Sequence, residues 1–99
     1  MKIVAVAMTE VQDDFIDSEA ACYDEWDSAV DRADSFMIER VGDFLEIPKE
    51  DTDGRRRRLE ERKRVETQVW NGEGRLDMSY RLDGPPSLVV SVCVMEQEV

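Results

Sequence analysis

The period of the apolar positions changes twice along the chain. Ile3 to Met8 is continuously apolar and rich in β-branched residues, the pattern of a short strand buried on both faces. Beyond a polar stretch containing Asp13, Asp14, Asp17 and Ser18, the spacing becomes helical. Tyr23, Trp26, Ala29, Val30, Ala33, Phe36, Met37, Val41 and Phe44 recur at intervals of three and four, which predicts one apolar face about four to six turns long. Ser18 followed by Glu19 offers an N-terminal start. Pro48 restricts Ile47 to extended backbone, so the helix should end near Glu46.

Asp51-Thr52-Asp53-Gly54 reads as a turn or as the cap of a short second helix over 55–63. The period then falls to two. Val65, Thr67 and Val69 alternate with Glu66, Gln68 and Trp70, and Leu76, Met78, Tyr80 and Leu82 alternate with Arg75, Asp77, Ser79 and Arg81. Two strands are expected, joined by a hairpin at Asn71-Gly72. Asp83-Gly84-Pro85-Pro86 makes the next turn, and Leu88 to Met95, apolar on nearly both faces, marks a central strand. The expected fold is a single α+β domain over residues 1–99. It has an antiparallel four-stranded sheet in the order β-α-(α)-β-β-β, with a long amphipathic acidic helix packed on one face.

Charge adds a second pattern. Residues 1–53 hold 16 Asp/Glu against 4 Lys/Arg, whereas residues 54–99 hold 8 against 9, in a chain with a net charge of −11. Such a concentration adds no stability, because like charges repel in the compact state. It disfavours direct contact with nucleic acid or an anionic membrane and favours a basic partner. No run approaches the ~18 apolar residues of a membrane-spanning helix. The six apolar residues of the N-terminal run are short for a signal peptide, so a cytoplasmic protein is expected. Cys22 and Cys93 form no metal spacing and are expected as buried free thiols.

The candidate site is the acidic side of the long helix. On a helical projection Asp24, Asp27, Asp31 and Asp34 fall within roughly 80°, beside the apolar stripe. Successive members lie roughly 5–6 Å apart, comparable with phosphates along a nucleic-acid strand. Glu25, Glu39, Asp43 and Glu46 extend the surface. This pattern points to a nucleic-acid mimic that occupies the basic groove of a DNA- or RNA-handling protein; the competing reading is a solvated face. Salt adaptation would also enrich acids, but over the whole surface, and residues 54–99 are near neutral.

The run Arg55-Arg56-Arg57-Arg58, continued by Arg62, Lys63 and Arg64, is interrupted by Glu60 and Glu61 and lacks interleaved aromatics. Glu60 can face Arg64 and Arg57 can face Glu61, and pairing of the run with the acidic helix, or head-to-tail self-association, is favoured over RNA binding. Lys49 to Glu60 imitates a calcium loop only in part, since Lys49 stands where the first carboxylate is needed. With no histidine, Ser79 and Ser91 lack the commonest general base. Trp26 and Trp70 read as core or sheet-packing residues. No catalytic residue, metal or cofactor is expected.

Gln68-Val69-Trp70-Asn71-Gly72-Glu73-Gly74, entering an alternating strand, resembles a stretch of the DNA-mimicking anti-CRISPR of type I-F systems, among the small acidic phage-encoded inhibitors of host defence. The resemblance covers these residues only. No contact residue is carried over, because that family's most acidic helix follows its sheet and the acidic segment here precedes it. The expectation is a viral, non-enzymatic inhibitor acting in the host cytoplasm by protein–protein interaction, against a basic nucleic-acid-binding protein or complex. The alternatives are an interaction module (immunity protein, antitoxin or virion component) and a salt-adapted domain. The sheet edges and the charge asymmetry permit a homodimer.

Overall fold

The computed structural model describes residues 1–70 and 73–99. The turn expected at Asn71-Gly72 and the packing role expected of the Trp70 side chain lie outside the described residues. The elements are β1 (Lys2–Gln12), β2 (Phe15–Tyr23), α1 (Trp26–Phe44), α2 (Thr52–Glu60), β3 (Arg64–Trp70), β4 (Glu73–Leu82) and β5 (Leu88–Glu98). The strands form one antiparallel sheet in the order β2-β1-β5-β4-β3. β5 is the central strand.

The α+β architecture therefore has five strands rather than the expected four. The expected long amphipathic helix is replaced by a shorter one of 19 residues, ending at Phe44, and the short second helix expected over 55–63 forms over Thr52–Glu60, 9 residues. Both differences come from residues 15–23, expected to begin the helix at Ser18, which instead form β2 against β1. The hydrophobic pattern could not show this strand, because after Phe15 its next two inward positions are Asp17 and Glu19, and they meet arginines. Arg40 of α1 donates to Asp17 at 2.6 Å and to Glu19 at 3.3 Å, and Arg32 pairs with Glu19. β1 continues past Met8 for the same reason: Glu10 faces inward, 4% exposed, and accepts from Arg40 at 2.8 Å and from Gln12 Nε2 at 2.9 Å.

The core lies between one face of the sheet and α1. Val4, Val6 and Met8 of β1, Val90, Val92 and Val94 of β5, and Met78 and Tyr80 of β4 meet Ala29, Ala33, Phe36, Met37 and Val41 of α1. Each fully buried side chain of this size contributes about 1.5–3 kcal/mol. Alanines at 29 and 33, the spacing of adjacent turns, allow the helix to lie close to the strands.

The end of α1 is fixed by two devices. Ile47 N–H donates to Gly42 C=O and Glu46 N–H to Asp43 C=O, closing the helix with Glu46 in the left-handed region at φ 58°. Arg55 of α2, 6% exposed, donates to the carbonyls of Glu39, Ile47 and Pro48 and to the Asp43 carboxylate. One guanidinium thus ties the last turns of α1 to the segment that follows the helix. α2 is capped by Asp51, whose carboxylate accepts from Gly54 N–H at 3.0 Å.

Candidate functional site

The structure distributes the eight predicted site residues among different environments. Asp24 and Glu25 precede α1, in the bend that follows β2, with Glu25 as the N-cap residue. Asp27 and Asp31 stand exposed on the first two turns of the helix. Asp34, half-buried, accepts from Arg56 of α2 at 3.0 Å, and Asp43 from Arg55 at 3.0 Å. Glu39 is exposed with its backbone carbonyl held by Arg55, and Glu46 is exposed beyond the helix.

The stripe is therefore not one continuous ladder. α2 lies against the C-terminal half of α1, and two of its arginines neutralise Asp34 and Asp43. Elsewhere in the run Arg58 pairs with Glu61 at 3.5 Å and Lys63 with Glu60 at 2.8 Å, each three residues apart, rather than in the expected Glu60–Arg64 and Arg57–Glu61 pairs. α2 ends at Glu60, so Arg64 already belongs to β3.

What remains is an acidic patch at the N-terminal end of α1. Among the described residues no cation pairs with Asp24, Glu25, Asp27 or Asp31. The positive end of the helix dipole offsets part of the mutual repulsion of carboxylates placed there. The patch can thus stay charged and outward-facing without a cationic partner inside the fold.

A second surface was not anticipated. Among the described residues nothing covers the face of the sheet away from the helices, whereas the pattern of Ile3 to Met8 predicts burial on both sides. On β2 the outward positions are Ile16, Ser18, Ala20 and Cys22; on β1 they are Ala5, Ala7, Thr9 and Val11; on β5 they are Val89, Ser91, Cys93 and Met95. None is charged, in a chain where 37% of residues are. Charge returns on β4, with an Arg75–Asp77 pair at 2.8 Å, and on β3, with Arg64 and Glu66. Small side chains at the centre leave a shallow depression of about 350 Å³ with Ala7, Ser79, Ser91 and Cys93 on its floor.

Both cysteines belong to this surface and both are free. Cys22 is exposed, contrary to the expectation of a buried thiol, because it sits on the outward side of an edge strand. Cys93 is half-buried, and burial pushes its thiol above the ordinary range, helped by the neighbouring Asp77. The Arg75 hydrogen bond holds the Asp77 carboxyl below its ordinary range. On the helix side, Val65 and Val69 of β3 are 50% and 76% exposed, because the helices do not reach that strand.

Among the described residues no group of three or more His, Cys, Asp or Glu side chains is arranged to hold a metal ion. No described helix is long and apolar enough to cross a membrane. No protein-family model, curated protein or solved structure matches the chain.

Proposed function

We propose that this protein is a non-enzymatic inhibitor that binds the basic nucleic-acid groove of a defence or DNA-processing protein through the acidic end of α1. Asp24, Glu25, Asp27 and Asp31 make the contact, while Asp34 and Asp43 serve the fold. The observation that carries this reading is the partition of charge. Arg32, Arg40, Arg55 and Arg56 are engaged with carboxylates elsewhere, and the four acids at the start of α1 are left without a cation among the described residues. Association steered by such a patch is fast and falls steeply with salt, because exposed charges are screened beyond roughly 8 Å at physiological ionic strength.

The test is affinity capture from host lysate at low and moderate salt, with wild type beside the Asp24→Asn/Glu25→Gln/Asp27→Asn/Asp31→Asn variant. Duplex DNA serves as competitor. The reading expects a nucleic-acid-binding protein held by wild type alone and displaced by the DNA. Equal capture by both proteins, or a captured partner that DNA does not displace, overturns it and moves the interface to another surface.

A further inference from the structure

We infer that the uncovered face of the sheet packs against the same face of a second copy of this chain, giving a four-layer dimer with the helices outside. The inference concerns the opposite side of the molecule from the acidic patch and stands independently of it.

Three observations select a second copy as the occupant. The first is charge. Two molecules of net charge −11 repel through almost any pair of surfaces. The outward positions of β2, β1 and β5 carry no charge at all, so copies can meet there without opposing carboxylates. A basic or acidic partner would find nothing on these strands to pair with.

The second is self-complementarity. The register places Ser18, Thr9, Ser91 and Ser79 in one line across four neighbouring strands. A hydroxyl both donates and accepts, so the line can hydrogen-bond to its own copy. Ala7 and Cys93 lie in the adjacent row, and residues of this size let two sheets approach to the usual ~10 Å.

The third is area. Five strands spaced ~4.8 Å apart, with paired lengths of roughly 25–30 Å, present about 600–700 Å² per copy. Two copies would bury roughly 1,200–1,400 Å², within the size of specific, stable interfaces. Within this face β1 and β5 lie centrally, β2 forms one edge, and Arg64, Glu66, Arg75, Asp77 and Arg81 of β3 and β4 bring charges of both signs to the other side, where they can pair across the contact.

Sedimentation velocity on the purified chain over a range of concentrations tests this, with Ala7→Arg and Ser91→Lys as variants. Both positions are exposed in the single chain, so neither substitution disturbs the core, and far-UV circular dichroism checks that each variant folds. The wild type should sediment as a species of twice 11.4 kDa. Each variant should weaken association by roughly a hundredfold or more, because a charge at the centre of a dry interface is left unpaired. A wild type that stays at 11.4 kDa at high protein concentration overturns the proposal. So does a dimer that both folded variants retain, since it must use another surface.

Discussion

Arg40 of α1 donates at 2.8 Å to Glu10 of β1, a carboxylate 4% exposed and 30 residues away in the chain. The same guanidinium reaches Asp17 and Glu19 of β2 and lies 4.6 Å from the centre of the Phe36 ring. Its proton is held more tightly than that of a free arginine, chiefly by the hydrogen bond to Glu10. One side chain thus ties the helix to two strands of the sheet.

Replacing Arg40 with Met keeps the stem and leaves Glu10 buried without its cation. The expected loss in urea unfolding is about 3 kcal/mol, at the lower end for a broken buried pair because Gln12 still donates to Glu10. Adding Glu10→Leu to Arg40→Met should recover much of it, since the uncompensated charge is gone. In the single variant, amide exchange should accelerate first in β2. A loss under about 1 kcal/mol would show that the cluster does not hold the hairpin in place.

Gly42 and Arg55 give a second case in which a local rule is reversed by packing. In a helix, alanine is favoured over glycine by about 1 kcal/mol. A Cβ on Gly42, however, would stand 2.5 Å from Arg55 Nη1, and Arg55 cannot retreat without giving up its backbone acceptors. Gly42→Ala should therefore destabilise the domain by about 1–3 kcal/mol. In an Arg55→Ala background the same change should become neutral or stabilising. Thermal melts of the four proteins decide it, and a stabilising Gly42→Ala in the wild type would refute the packing account.

These clusters also explain what the sequence could and could not show. The core stripe from Ala29 to Val41 and the alternation in β4 were readable, because apolar residues produced them. The turn before α2 was readable from Asp51 and Gly54. β2 was hidden: after Phe15 its inward face carries Asp17 and Glu19, and the partners of these carboxylates, Arg32 and Arg40, lie on a helix that the local pattern does not place against them. The acidic stripe was legible as composition but not as geometry. A helical projection puts Asp24 in line with Asp27, whereas the structure starts α1 at Trp26. Pairing of the arginine run with the acidic helix was legible from charge, but not that Arg55 takes Asp43 and Arg56 takes Asp34. The open sheet face was misread because apolar outward positions look alike whether a second layer comes from the same chain or from none.

Glu46 occupies the position that closes α1 with a left-handed backbone, φ 58°, where glycine is the usual residue. A side chain costs about 1–2 kcal/mol there. Glu46→Gly should stabilise the domain by about 1 kcal/mol, raising Tm by roughly 4–8 °C for a chain of this size. Because Glu46 lies outside the four-residue patch, the variant should keep the wild-type partner capture. A lower Tm would mean that the Glu46 side chain contributes more than its backbone costs.

Cys22 and Cys93 share the open face but differ in access. Cys93 is half-buried with its thiol pushed up by burial and by Asp77, whereas Cys22 is exposed. The thiolate is the reactive form, so at pH 8 iodoacetamide should modify the Cys93→Ser variant, which retains Cys22, several-fold faster than the Cys22→Ser variant, which retains Cys93. Asp77→Asn removes the negative charge that helps raise the Cys93 thiol and should speed its reaction. The sign for stability follows. The folded state favours the neutral thiol, so the stabilisation is complete below the unfolded cysteine value of about 8.5 and is lost as pH rises through the higher folded value. The Cys22→Ser variant should therefore lose Tm across that alkaline range more steeply than the double cysteine variant does. Equal alkylation rates at pH 8, together with parallel Tm profiles, would show that burial in the sheet does not control the Cys93 thiol.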